Sequence, residues 1–428
     1  MFAGIGAVGR IGRPGLSGSA ALAKRPTLSL DFMQPGAMNS RVTFTRASSA
    51  TYTDASSVIQ TAATNAPRWD YANGVLRGLL IEDQRTNSLS NSDPSVSGID
   101  NNTTRTANAG IAPDGTNTLV KMNNTTANAF HGLQYIAPGT ANARYCCSIY
   151  AKMGQIRYLQ LILDDLGGGQ PAAISTFDLQ TGTITAATHP STMINVGNGV
   201  YRCGIENILV GAGTTQVRLG TNNCLIPNPG FYDHSYVGVP TDGTYLWGVQ
   251  IEQGTFGTSY IPTTGVAATR AQEQCGISSV NMSPWFSPPG GSWAAEYIET
   301  DPVDYSNDRI IGMGSFTASD PTTISIGGGF TAGTWDGANA VISSNTGSAN
   351  VVQKVASSYT PGTTRICLNG GIIASGFMNT GFGIFSTVGI KFLIVYGPGT
   401  AQNASGYIRR VNYWNRVLTD AEMQQVTT

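Results

Sequence analysis

The sequence predicts an all-β protein: two antiparallel β-sandwich (jelly-roll) domains preceded by an extended N-terminal arm and a small β collar. Three observations carry this. Apolar residues recur at every second position in short runs, as where Leu159, Leu161 and Leu163 alternate with Tyr158, Gln160 and Ile162; that is the period of a strand with one buried face. Turn signals separate the runs at short intervals, among them Thr181-Gly182, Gly197-Asn198-Gly199, Pro229-Gly230 and Thr241-Asp242-Gly243, a rhythm that fits a sandwich better than βαβ units. The clearest helix signal comes at the very end, where Thr419-Asp420-Ala421-Glu422 reads as an N-cap with an acid at the third position.

Residues 1–26 form the arm. They are small and glycine-rich, and Arg10 and Arg13 interrupt the apolar run, so the stretch is neither a secretory signal nor a membrane span. Phe2, Ile5, Val8 and Ile11 could fill small pockets and Arg10 and Arg13 could meet acidic groups, which suits an arm inserted into a partner; a tail packed on its own subunit is the alternative. Residues 27–90 form the collar, with extended runs at 28–32, 41–45 and 76–81 and a hairpin signal at Asn73-Gly74. Trp69 and Tyr71 are two apart and are expected to share a packed face.

Residues 91–254 read as one β-domain, in which Cys147 and Ile149 alternate with Ser148, Tyr150 and Lys152, and Tyr201, Cys203 and Ile205 with Arg202 and Glu206. Its last strand should turn Tyr245, Trp247, Val249 and Ile251 one way and Leu246, Gln250 and Glu252 the other. Residues 255–275 are expected as a linker, extended at Tyr260-Ile261-Pro262 because the residue before proline avoids the helical region, and turning at Thr263-Thr264-Gly265. Residues 276–428 form a second β-domain, opening with Trp285-Phe286 and the Pro288-Pro289-Gly290-Gly291 turn.

At 428 residues the chain has room for two or three cores. Only 11% of it is charged, against about 25% in an ordinary soluble domain, which leaves a surface of hydroxyls and amides. A net charge of −1 with evenly mixed signs supplies no field for a phosphate backbone, so nucleic-acid binding is excluded. Six cysteines without metal-type spacing read as buried free thiols, consistent with assembly in a reducing cytoplasm. Paired carboxylates for glycoside hydrolysis are sought at Asp164-Asp165 and at Glu296, Glu299, Asp301, Asp304 and Asp308, but Glu296 and Glu299 face opposite ways on a strand. A GxSxG elbow is missing and Gly327-Gly328-Gly329 lacks the lysine of a phosphate loop. No catalytic residue, cofactor or metal site is predicted, and the chain is not expected to be an enzyme.

Five blocks carry a resemblance. Arg41-Val42-Thr43-Phe44-Thr45-Arg46-Ala47-Ser48-Ser49-Ala50-Thr51-Tyr52 and Gly78-Leu79-Leu80-Ile81-Glu82-Asp83-Gln84-Arg85-Thr86-Asn87 look like the entry segment of bacteriophage virion appendage proteins, the head spike, head fibre and tail fibre subunits. Ala112-Pro113-Asp114-Gly115-Thr116 and Gly197-Asn198-Gly199-Val200-Tyr201-Arg202 resemble parts of their sandwich. Tyr245-Leu246-Trp247-Gly248-Val249-Gln250-Ile251-Glu252, followed by Thr258-Ser259-Tyr260-Ile261-Pro262-Thr263-Thr264 and Thr269-Arg270, resembles its close. The family usually has tryptophan where Val200 stands, so a ligand contact credited to that ring does not carry over. The chain's ending, residues 406–422, is similar to that of concanavalin A-like (laminin G-like) sandwiches, and the middle domain to galactose-binding-like carbohydrate-binding modules.

The resemblance implies a subunit of the virion, assembled in the bacterial host cytoplasm. It would be typically a homotrimer, held to capsid or tail proteins by the arm and touching host-surface polysaccharide. Sugar recognition needs a ring to stack on and polar groups to orient hydroxyls. The mixed faces of the middle domain offer Tyr150, Lys152, Tyr158, Gln160, Arg202 and Gln250. An open alternative is that the collar or a neighbouring subunit covers this face and makes these residues interface.

Overall fold

The structure is a computed structural model. It describes residues 25–36, 38–167, 169–227, 230, 234–282, 285–287, 289–300, 308–313, 322–327, 331–335, 340–377, 390–397, 400–402 and 405–428. The expected anchors Phe2, Ile5, Val8, Arg10, Ile11 and Arg13 lie outside the described residues, as do Pro229, Pro288, Asp301, Asp304 and Gly328.

A first sandwich is built from contiguous chain. Its front sheet runs in the order Ser191–Gly197, Val200–Leu209, Arg144–Lys152, Gly243–Gln253, Val120–Asn124, Thr103–Thr106. Its back sheet runs Thr183–Ala187, Ala173–Asp178, Tyr158–Leu166, Gln216–Cys224, His131–Pro138, Ile99–Asn101. The alternations read from the sequence face each other across the core: Cys147, Ile149, Cys203 and Ile205 from the front, Leu159, Leu161, Leu163 and Leu219 from the back.

The last front strand departs from simple alternation. Leu246, Val249 and Ile251 enter the core while Tyr245 and Trp247 join an outer cluster. A register shift opposite Ser148 and Tyr150 inserts an extra residue at Gly248, whose φ is +58°. A bulge of this kind reverses the parity of everything beyond it, so the expected common face for Tyr245, Trp247, Val249 and Ile251 is corrected to two faces. Glycine suits the position twice over, since a Cβ here would also meet the Tyr150 ring at 3.0 Å and the Tyr260 ring at 3.2 Å.

The second sandwich is not contiguous. One sheet runs Ala374–Gly376, Thr363–Leu368, Val352–Thr360, Gly291–Glu299, Gly406–Trp414, Val75–Ile81, Arg68–Ala72, with Leu28–Asp31 also paired to Gly406–Trp414. The other contains Val42–Thr45, Gln274–Ile277, Ile390–Gly397, Asp308–Met313, Thr322–Gly327, Thr331–Trp335 and Ala340–Thr346 in that order. Leu28, Leu30, Val42, Leu79 and Ile81 share a core with Cys275, Trp293, Val411 and Tyr413. The expected division into a collar at 27–90 and a separate domain at 276–428 is therefore corrected: Leu28–Asp31, Val42–Thr45, Arg68–Ala72 and Val75–Ile81 are strands of the second sandwich, into which the first is inserted, while Ala50–Thr53 and Ile59–Ala62 form a hairpin of their own and Arg85–Asn87 joins the first sandwich. Short strands with one apolar face need a sheet to lie in, and these find it in the far end of the chain.

Asn73 and Gly74 turn the expected hairpin with φ of +50° and +74°, leaving Ala72 opposite Val75. The closing helix Asp420–Thr427 starts at the Thr419/Glu422 capping box and lays Met423 against Trp414 and Cys367 on the outer face of its sheet. All six cysteines are buried and unpaired.

Candidate functional site

Three of the blocks that carry the resemblance meet at the seam between the sandwiches, where their Arg46, Glu82 and Arg270 join Arg68 and Glu273, which lie outside the blocks, in a buried ionic junction. Arg68 donates Nε to Glu273 at 2.7 Å and Nη2 to both Glu273 at 2.6 Å and Glu82 at 2.8 Å. Arg46 reaches Glu273 at 2.7 Å and Arg270 reaches Glu82 at 2.9 Å. The remaining donors of Arg46 go to backbone carbonyls of Ser48, Ala62, Ala63 and Ala66. Burial alone would raise the Glu82 carboxyl, but Arg270, Arg68 and the bonds from Ser259 outweigh it and hold it at about 2. Burial also works against the charge on Arg68, and there Glu273 and Glu82 win, keeping the cation firmly protonated.

The expected linker is threaded through this junction. Ser259 donates its N–H and hydroxyl to Glu82, Ile261 donates to Gln250 Oε1 at 2.6 Å, and Asn87 donates to the carbonyls of Val249 and Ile261. Thr258, Tyr260, Ile261 and Thr263 are buried, and only around Gly265 and Val266 does the segment reach solvent.

The six residues expected to touch glycan do not form one constellation. Tyr150, Lys152, Arg202 and Gln250 lie on the outer face of the front sheet, whereas Tyr158 and Gln160 belong to the back sheet. Gln160 is buried, donating to the Gly230 carbonyl at 3.3 Å and accepting from Asn222. Gln250 is buried too and clamps the linker. Tyr158 sits half-buried beneath the Arg157 guanidinium, 5.1 Å from its ring centroid. Lys152 stands half-buried at the end of its strand, opposite Tyr245 and Val200. Tyr150 packs edge-on against Trp247 at 5.2 Å and Tyr260 at 5.9 Å, in a cluster that includes Val200 and is covered by Ile59. The collar hairpin of Ala50–Thr53 and Ile59–Ala62 thus covers part of this face, as the alternative reading had it.

The cover is incomplete. Beside the aromatic cluster a cavity of about 200 Å³ remains between hairpin, front sheet and second sandwich. Ser148, Tyr150, Arg202 and Glu206 line it from the front sheet, with Asn195 at the neighbouring strand. Tyr52, Ser57 and Ile59 line it from the hairpin. Asp70, Tyr71, Arg77 and Tyr407 close it from the second sandwich. Here a second bulge matters: between Asp70 and Tyr71 the register skips Arg77 opposite, and Gly78 takes φ of +139° with the Ile408 carbonyl 2.7 Å from where a Cβ would be. The extra residue is Arg77, on the partner strand; Trp69 packs against the core of the second sandwich while Tyr71, at the hairpin end of its strand, lines the cavity, so the two do not share the one packed surface expected.

The cavity's polar groups differ in how far they are engaged. Asp70 accepts from the Thr53 N–H at 2.6 Å and the Tyr407 hydroxyl at 2.8 Å, and burial pushes its carboxyl up. Arg77 lies over the Tyr407 ring at 4.5 Å, and its Nη2 is enclosed without an acceptor. Arg202 donates Nε and Nη2 to Ser148 Oγ at 3.2 and 2.9 Å and lies over the Tyr150 ring at 5.6 Å. Among the described residues neither arginine has a carboxylate partner. Of these groups Ser148, Tyr150 and Arg202 are apparent from strand alternation. Asp70, Tyr71 and Arg77 sit in the supposed collar, and a glycine after Arg77 inside a strand pattern is the one signal of the bulge that places them.

Three of the carboxylates considered for hydrolysis have structural partners. Asp164 is paired with Arg218, Asp165 accepts from the Gly211 N–H at 2.7 Å, and Glu296 is held by Arg409 at 2.6 Å and Arg410 at 2.8 Å.

No protein-family model and no curated protein matches the chain. Among solved structures it is similar to the CBM40 module of the Ruminococcus gnavus IT-sialidase bound to α2,3 sialyllactose, at 17% identity and a TM-score of 0.30, covering 36% of this chain and 93% of that one. It is similar to domain 4 of AbnA, a GH43 extracellular arabinanase from Geobacillus stearothermophilus in complex with arabinotriose, at 12% identity and a TM-score of 0.28, covering 41% of this chain and 84% of that one. Trypanosoma rangeli sialidase matches at 9% identity and a TM-score of 0.27 over 72% of this chain and 60% of that one.

Proposed function

We propose that this protein is a structural subunit of a bacteriophage virion appendage, a head spike, head fibre or tail fibre, whose seam cavity binds host-surface glycan without cleaving it. The observation that carries the binding is the cavity: an enclosed space between two sandwiches, walled by Tyr52, Tyr71 and Tyr150 with serine, asparagine and arginine side chains among them. Pockets favour such junctions, and rings with a few convergent polar groups suit a sugar ring and its hydroxyls. The assignment to a virion rests on the resemblance of the sequence blocks alone. Weak binding at one such site gains strength when many copies face a polysaccharide.

The N-terminal arm is the proposed attachment to capsid or tail, through Phe2, Ile5, Val8, Arg10, Ile11 and Arg13. A homotrimer is the proposed assembly. Incubating the purified full chain with host polysaccharide tests the central reading: retention with polysaccharide length unchanged supports it. No retention leaves a purely structural subunit, and fragments make it a depolymerase; either overturns the proposal.

A further inference from the structure

Resting on the glycan-binding reading, we infer that the seam cavity selects an acidic saccharide, a sugar residue bearing a carboxylate, which Arg77 and Arg202 hold from the two sandwiches. Elsewhere in the fold enclosed guanidinium groups are matched by carboxylates: Arg46 and Arg68 by Glu273, Arg270 by Glu82, Arg409 by Glu296. Arg77 and Arg202 share one cavity, and neither has such a match among the described residues. Each leans instead on an aromatic face, Tyr407 and Tyr150, a contact that consumes no in-plane donor; Arg202 also gives Nε and Nη2 to the neutral Ser148 hydroxyl, which leaves its charge unmatched and its Nη1 side available. Arg77 Nη2 is enclosed with no acceptor, and a cation kept out of water gains from an arriving counter-charge.

The carboxylates already at the cavity do not fill that role. Both oxygens of Asp70 are engaged, by the Thr53 N–H and the Tyr407 hydroxyl. Glu206 Oε1 accepts from the Gly257 N–H at 3.5 Å. Glu82 belongs to Arg68 and Arg270. A planar carboxylate matches the fork of a guanidinium with two parallel N–H···O bonds, while the sugar ring bearing it has Tyr52 and Tyr71 as its walls. With liquid water occupying about 30 Å³ per molecule, the 200 Å³ cavity holds a single monosaccharide residue and little more.

The test is calorimetric titration of the full chain with three oligosaccharides of equal length: an oligogalacturonate, its neutral galactose counterpart and a sulfated galactose counterpart. The oligogalacturonate is expected to bind about tenfold or more tighter than the neutral sugar, a difference of about 1.4 kcal/mol, with the preference shrinking as salt is raised. Arg77→Gln and Arg202→Gln should each remove most of that preference, lowering oligogalacturonate affinity by a larger factor than neutral affinity. Arg77→Lys keeps a cation over Tyr407 but loses the fork, and should fall between. Thermal midpoints of the variants separate lost binding from lost folding. Equal binding of acidic and neutral sugars overturns the selectivity while the glycan-binding reading stands. No binding of any of the three overturns both. Sulfated sugar binding as tightly as oligogalacturonate, and equally in Arg77→Lys, makes the site a general anion site and overturns the carboxylate assignment.

Discussion

The ionic junction and the cavity lie side by side in one seam, share Glu82 as a boundary, and are both rich in arginine. They differ in completion. At the junction Arg46, Arg68 and Arg270 face Glu82 and Glu273 at 2.6–2.9 Å, and buried backbone carbonyls take up the remaining donors of Arg46. In the cavity Arg77 and Arg202 lean on tyrosine rings with their charge unmatched. Arg270 Nε is a junction donor without an acceptor, so the difference is one of charge pairing: a network whose charges are matched holds parts of a protein in one arrangement, and one with unmatched charge keeps interaction capacity for something not yet there. The difference separates the residues that make the shape from those that could use it.

The largest break in that comparison comes at Glu273, which accepts from Arg46, Arg68 and the Glu82 N–H. Glu273→Ala strands two buried guanidinium groups and should cost about 3–5 kcal/mol, the range for removing one partner of a buried pair; chemical denaturation of the variant reads it directly. A loss under about 1 kcal/mol would mean the junction is not holding the seam. Shape at the bulge comes next. Gly78→Ala puts a methyl 2.7 Å from the Ile408 carbonyl at φ +139°, and should lose about 1–3 kcal/mol together with sugar retention, because Arg77 is re-aimed.

Acid tests the junction through Glu82. Its carboxyl is held at about 2 in the folded chain against an ordinary 4.5. Between those values the unfolded chain takes up a proton that the folded chain refuses, so this contribution to stability is complete above about 4.5 and is lost as pH falls toward about 2. Thermal midpoints followed through that window should decline in the native protein, and Glu82→Gln should flatten the decline. The smallest effect sharpens the contrast from the other side: Arg77→Gln gives up only a ring contact, so it should change stability by less than about 1 kcal/mol, while altering what the cavity binds. A stability loss as large as that of Glu273→Ala would move Arg77 from the cavity to the junction.

Much of the first sandwich is legible in the sequence because its strands alternate, as at Leu159, Leu161 and Leu163, and pair within one continuous stretch. Gly248 and Gly78 mark where that legibility stops. A bulge adds one residue and inverts the faces beyond it on its own strand, so Trp247 and Val249 part company, and Arg77 becomes the extra residue opposite Asp70 and Tyr71. The collar was legible as strands and not as a place, since nothing in Leu28 or Leu79 names the partner that Gly406–Trp414 supplies. Three of the blocks that resemble appendage proteins meet at the seam, where their charged residues Arg46, Glu82 and Arg270 join Arg68 and Glu273. The cavity needed all of these placements at once, and its front-sheet wall of Ser148, Tyr150, Arg202 and Glu206 was the part that strand alternation could reveal.

The pairing of Leu28 with Tyr413 also sets an order of events during translation. The first sandwich can close once residue 270 has left the ribosome, because its two sheets use only strands between 99 and 253 and the short Arg85–Asn87 and Ala268–Arg270 edges. Leu28–Asp31 emerges earlier yet has no mate until Gly406–Trp414 is made, and Val75–Ile81 has until then only its hairpin partner Arg68–Ala72. For most of synthesis their apolar residues, Leu28, Leu30, Leu79 and Ile81, are unsheltered strand edges of the kind that aggregates when kept waiting. A nascent chain of this design depends on chaperones or on its own earliest neighbours to keep those edges apart. Cutting short the last few dozen residues leaves one sandwich finished and the other with its two ends unjoined.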